Sequence, residues 1–113
     1  MASLKILIID DEADYCSILK SYFQQKGYEV FLASTLKEGL ELINTVRPDI
    51  LFLDNNLPDG KGWPQIDLIV EKIPRIRAYL ISAHQQKSDY SSLSPNVIVW
   101  EKPLSLSLLN ENF

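Results

Sequence analysis

Soft metal ligands are almost absent from this chain: its 113 residues include one cysteine, Cys16, and one histidine, His84. A lone cysteine makes no internal disulfide, which suits a reducing compartment, and a lone histidine excludes a histidine metal cluster. Basic clusters are missing too. With 11 Lys and Arg against 15 Asp and Glu the net charge is −4, so no nucleic-acid footprint is expected of this domain. No apolar run approaches the ~20 residues of a membrane span, and the N-terminus lacks a signal-peptide pattern. A cytoplasmic protein with no membrane contact is therefore expected.

The composition, 46% hydrophobic and 23% charged, is that of an ordinary globular domain. A chain of this length buries enough surface for one core, so residues 1–113 read as one domain. Five short apolar runs read as buried strands: Lys5–Ile9, Tyr28–Ala33, Ile50–Leu53, Ala78–Ile81 and Val97–Trp100. Between the first two, Cys16, Leu19 and Phe23 recur at helical spacing, and Gly27 stops the helix. Ser34 is placed to cap a second helix carrying Leu36, Leu40 and Ile43, which Pro48 closes.

The run Asn55–Gly62 is dense in turn residues and predicts a loop, after which Pro64 takes a helix N1 position ahead of Ile66, Ile69, Val70 and Ile73. The stretch Gln85–Pro95 has few apolar anchors and predicts a weak fourth helix; a short fifth starts near Leu104. This alternation predicts an α/β fold, a three-layer doubly wound (βα)5 domain with a parallel sheet between helices.

Three acids fall where apolar runs stop: Asp10 and Asp11 after the first, Asp54 after the third. In an open parallel sheet the carboxyl ends of the strands form the ligand-binding edge. Carboxylates gathered there repel one another unless a cation joins them, and a hard divalent metal is the first candidate.

Ile8-Ile-Asp-Asp-Glu12, Leu51-Phe-Leu-Asp-Asn-Asn-Leu-Pro-Asp-Gly60, Leu80-Ile-Ser-Ala83 and Trp100-Glu-Lys-Pro103 together resemble the response regulator receiver domain of two-component systems. The resemblance covers almost the whole chain. It implies a flavodoxin-like five-stranded sheet in the order 2-1-3-4-5 and a Mg²⁺-dependent phosphoacceptor domain that catalyses only its own phosphorylation and dephosphorylation. In that reading Asp54 is the phosphoacceptor, and Mg²⁺ is held directly by Asp11, Asp54 and the backbone carbonyl of Asn56, and mostly through water by Asp10. Ser82 and Lys102 bind the phosphoryl group, with small Ala83 letting the loop close on it. The Lys102–Pro103 bond is expected to be cis, and Asn56 and His84 flank the path of the hydrolytic water.

The partner implied is a sensor histidine kinase or histidine phosphotransfer protein. An effector domain or self-association through the face of the fourth helix, fifth strand and fifth helix is a further expectation, the chain being a piece of a longer response regulator. Taken alone, several of these residues have plainer readings: Asp11 and Glu12 as helix N-terminal charges, Lys102 as a solvated lysine.

The chain departs from the family pattern at the switch aromatic, three residues before the lysine, where it has Val99, with Trp100 one step on. Alternating strand side chains aim Trp100 away from the usual ring position, so an altered output surface is expected. Trp63 is expected to cap helix packing. Lys61 stands where an acid is common, with little consequence expected because Gly62 keeps the turn flexible. Three other readings compete. A haloacid-dehalogenase-type phosphatase needs a second acid two residues after the nucleophile, where this chain has Asn56. A receiver-like binding module that is never phosphorylated typically loses one of the site residues. Flavin binding lacks a Gly/Ser/Thr-rich loop after the first strand.

Overall fold

A computed structural model describes residues 3–83 and 95–113. In chain order the elements are β1 (Lys5–Ile9), α1 (Ala13–Gln25), β2 (Glu29–Ala33), α2 (Leu36–Val46), β3 (Ile50–Asp54), β4 (Asn56–Leu57), β5 (Gly60–Lys61), a 3₁₀ turn (Trp63–Gln65), α3 (Ile66–Lys72), β6 (Arg77–Ser82), β7 (Val97–Glu101) and α4 (Leu106–Asn112). The main sheet runs β2-β1-β3-β6-β7, all parallel, which is the order 2-1-3-4-5 of its five strands. The expected fourth helix and His84 lie outside the described residues.

Strand alternation builds two cores. Leu7, Ile9, Leu51, Leu53, Ala78 and Leu80 face Ile43 of α2 and Ile66 and Ile69 of α3. The alternate residues Ile6, Ile8, Ile50, Phe52, Tyr79 and Ile81 face Cys16, Leu19 and Phe23 of α1 and Leu109 of α4. A parallel sheet covered on both sides needs both residue sets apolar, hence the near-continuous Ile/Leu runs of β1 and β3.

Details of the helix ends differ from expectation. Thr35, not Ser34, caps α2: its hydroxyl accepts from the Glu38 amide at 3.1 Å, and the Glu38 carboxylate accepts from the Ser34 amide at 2.9 Å. The glutamate three residues on decides between the two adjacent hydroxyls. Arg47, in left-handed backbone (φ 51°), ends α2 just ahead of Pro48. Gly27, at φ 92°, follows α1 as expected. Pro64 lies in the 3₁₀ turn rather than opening α3 directly. The short α4 is capped by Ser105 and starts at Leu106; Leu109 and Phe113 dock it on the sheet.

The run expected to be a loop contains a small antiparallel ladder, β4 with β5. Asp59 at its turn accepts from the amides of Leu36 (2.7 Å) and Lys37 (2.9 Å), tying the ladder to the start of α2. Those amides would otherwise be unpaired helix donors. Among the described residues, no helix is long and apolar enough to cross a membrane.

Candidate functional site

All five parallel strands end at one edge, and β1 and β3 are adjacent in the sheet, with Ile9 opposite Leu53. Asp10 therefore follows its strand beside the point where Asp54 ends its own. One carboxylate oxygen from each of Asp10, Asp11 and Asp54 lies within 4.8 Å of the others. Asp10 and Asp54 are each 5% exposed, while Asp11 is open to solvent. Hard oxygen donors at this separation fit a divalent cation, whose octahedral oxygens at ~2.1 Å stand roughly 3–4 Å apart.

Lys102 reaches the cluster from the segment after β7. Its ammonium lies 2.5 Å from Glu12, 2.8 Å from Asp10 and 3.8 Å from Asp54, and above the Tyr15 ring at 4.9 Å. The lysine thus touches Asp54, but stands closer to two other acids. Glu12 occupies the N-cap position of α1 without capping it; its carboxylate goes to Lys102 instead. The Lys102–Pro103 bond is cis. Burial pulls the lysine's pKa down, but the hydrogen bonds it donates to Asp10 and Glu12 and the charges of Asp10 and Asp54 outweigh it, so the net shift is upward.

Asp54 has the opposite balance. Burial pushes its pKa up to about 6 and the Asp10 charge adds to this; Lys102 and the amides of Asn56 and Asn55 pull it back. The site therefore holds more negative charge than one lysine neutralises, and an added cation relieves it. Burial, helped by the Asp10 charge, pushes the Cys16 thiol up to about 12; its Sγ donates to the Asp10 carbonyl at 3.4 Å.

Ser82, Ala83 and Asn56 sit at the same edge. Ser82 ends β6, is 2% exposed, and its carbonyl accepts from the Lys102 amide at 2.8 Å; Ala83 follows it, exposed. The Asn56 side chain accepts from Lys61 across the β4–β5 ladder.

Behind Asp54 the chain folds back on itself. Trp63 is fully buried, its indole N–H donating to the Leu53 carbonyl at 3.1 Å, which makes it core rather than a peripheral cap. Its amide donates to the Asn55 side chain at 3.2 Å. Gly62 has ordinary right-handed backbone (φ −76°), so flexibility is not its role. Space is: a Cβ there would stand 2.2 Å from the Asp54 carbonyl oxygen and 2.8 Å from the Leu53 side chain. The sequence assigns no role to Asn55, and it reads Glu12 as a helix N-terminal charge and Gly62 as a flexible turn residue, whereas the structure gives all three a place in this site.

Residues 6–94 match the family described as response regulator receiver domain. The chain is 34% identical over 84 residues to sporulation initiation phosphotransferase F of Bacillus subtilis, covering 74% of this chain and 68% of that protein. It is 34% identical over 86 residues to the KDP operon transcriptional regulatory protein KdpE of Escherichia coli, spanning 74% of this chain but only 37% of that protein. Among solved structures, a receiver domain protein from Methanospirillum hungatei superposes with a TM-score of 0.86 at 25% identity, covering 97% of this chain and 90% of that one. The response regulator TrrA of Thermotoga maritima, solved in complex with Mg²⁺–BeF, gives 0.82 at 28% identity over 96% of this chain and 94% of its own.

Proposed function

The chain belongs to the response regulator receiver domain family, and from that premise we propose that it takes up a phosphoryl group on Asp54 with Mg²⁺ held by Asp10, Asp11, Asp54 and the Asn56 carbonyl. One observation carries this reading: the acids Asp10, Asp11 and Asp54 lie within 4.8 Å of one another beside the Lys102 ammonium, at the carboxyl edge of the sheet. A bound Mg²⁺ supplies charge neutralisation to the transferring phosphoryl oxygens. The chain's own groups do the rest. An Asp54 carboxylate oxygen attacks phosphorus, the P–N bond of a partner's phosphohistidine breaks, and the histidine leaves with the bond's electron pair. Lys102 pairs with a phosphoryl oxygen as charge builds there, and the Ser82 hydroxyl donates to a second.

Burial serves this chemistry by excluding bulk water from Asp54, 5% exposed, so that fixed dipoles and Lys102 act at short range. Hydrolysis of the acyl phosphate resets the domain. The phosphodonor is a sensor histidine kinase or histidine phosphotransfer protein, and the reaction is cytoplasmic. The Thermotoga relative's Mg²⁺–BeF complex supports the same ligand chemistry here, by similarity.

The test is intact-mass spectrometry after incubation with Mg²⁺ and acetyl phosphate. One added phosphoryl group is expected, absent when EDTA replaces Mg²⁺ and absent in Asp54→Asn. A folded, Mg²⁺-binding protein that takes no group would make it a binding module instead.

A further inference from the structure

Beside its carboxylate neighbours Glu12, Asp10 and Asp54, the Lys102 ammonium has a neutral one. It lies over the ring of Tyr15, 4.9 Å from the centroid. Tyr15 belongs to the first turn of α1, and its ring packs against the core on the α1–α4 side of the sheet. Its hydroxyl is buried and has no hydrogen-bond partner among the described residues. A buried, unpaired hydroxyl costs stability. What this position contributes is therefore the ring, not the phenol oxygen.

We propose that Tyr15 is a positioning residue for Lys102, the face of its ring holding the ammonium beside Asp54 for phosphoryl transfer. This rests on the reading of Asp54 as phosphoacceptor and extends it to a residue that touches neither metal nor phosphate. The π face of a phenol ring is negative and attracts an ammonium, most strongly where water is kept away. The Lys102 side chain is only 11% exposed. Its carboxylate partners change with the state of the site. A bound cation shares the charge of Asp10 and Asp54, and phosphoryl transfer turns an Asp54 oxygen into an acyl phosphate. The ring presents the same face throughout. It is also carried on a helix, which restricts a lysine that otherwise has many rotamers.

Two variants separate the ring from its hydroxyl. Phosphoryl uptake from acetyl phosphate at saturating Mg²⁺, followed by intact-mass spectrometry, is expected to be about fivefold slower in Tyr15→Leu. Tyr15→Phe keeps the face and removes the unpaired hydroxyl, and should restore the wild-type rate to within about twofold. An unchanged rate in folded Tyr15→Leu, or a Tyr15→Phe as slow as Tyr15→Leu, overturns the proposal.

Lost packing also slows a leucine variant, so the ring's charge is tested at nearly constant shape. Progressively fluorinated phenylalanines in place of Tyr15 drain the π face stepwise. The rate should fall with each added fluorine; a rate indifferent to fluorine would make the ring mere packing and overturn the proposal. This series also covers a Tyr15→Leu that does not fold. A wild-type protein that takes up no phosphoryl group would instead sink the phosphoacceptor reading. The contact itself is then read by NMR of metal-free protein, where the ring should shift the Lys102 ε-methylene protons upfield in wild type and Tyr15→Phe. No such shift would show that the ring does not hold the lysine.

Discussion

The indole of Trp100 lies against the phenol ring of Tyr79, 4.3 Å between centroids at a tilt of 33°, with Phe52 beside it at 6.5 Å. This stack is on the α1–α4 side of the sheet, whereas Val99, one residue earlier, packs on the α2–α3 side. The residue three before Lys102 is therefore aliphatic, and the nearest aromatic is fixed among other rings on the opposite face. A rotating ring at position 99 plays no part in how this domain reports its state.

Trp100→Ala is accordingly expected to act on stability rather than chemistry. Truncating a partly buried ring that contacts Tyr79 and Phe52 should cost about 2–3 kcal/mol, measured by urea unfolding. Phosphoryl uptake by the folded variant should match wild type. Loss of uptake with the fold intact would tie Trp100 to the site.

Asp54 predicts a pH-dependent stability in metal-free protein. Its pKa rises from an ordinary 3.8 to about 6 on folding, chiefly through burial. A raised pKa means that the protonated form is favoured in the folded state; the benefit is complete below about pH 4 and is lost as pH rises through 6. Asp54→Asn, permanently neutral, should thus stabilise the protein by about 3 kcal/mol at pH 7.5 in EDTA, with the difference vanishing near pH 3.5. Denaturant midpoints across that pH range provide the check; a gap independent of pH would contradict it.

Gly62→Ala should disturb the site from behind. The added methyl carbon meets the Asp54 carbonyl oxygen at 2.2 Å, and backbone cannot yield as a flexible side chain does. A loss of about 1–3 kcal/mol is expected, as for overpacking in a filled core, together with weaker Mg²⁺ binding because Asp54 itself shifts. Calorimetric titration of the variant, set beside its unfolding curve, separates the two effects.

Cys16 should be inert in the folded protein. It is 4% exposed, and burial raises its thiol pKa to about 12, so little thiolate is present at neutral pH. Maleimide should label it only under denaturing conditions. Fast labelling of native protein would show that the α1 side opens.

Much of the fold was legible because its strands are runs such as Ile6–Ile9 and Ile50–Leu53, too apolar to lie anywhere but in a sheet covered on both faces. Asp10, Asp11 and Asp54 were legible for the same reason: they end those runs. Contacts set by three-dimensional return of the chain were not. Glu12 and Lys102 are 90 residues apart, and nothing local to Glu12 announces its partner. The β4–β5 ladder is two residues long on each side, too short to show a period. Gly62 looked like a turn glycine because the close approach of the Asp54 carbonyl has no signature in sequence. Ser34 reads as the cap of α2 from sequence, but the adjacent Thr35, three residues before Glu38, takes that place.

Phosphoryl uptake by this domain comes down to one carboxylate. Borohydride reduces an aspartyl phosphate to homoserine, so protein treated with Mg²⁺ and acetyl phosphate, reduced and sequenced by tandem mass spectrometry, reports the acceptor directly. Homoserine at position 54, dependent on Mg²⁺ and found nowhere else, is the expected result. Homoserine at position 10 or 11, or none from a folded protein with Mg²⁺ bound, would contradict the account.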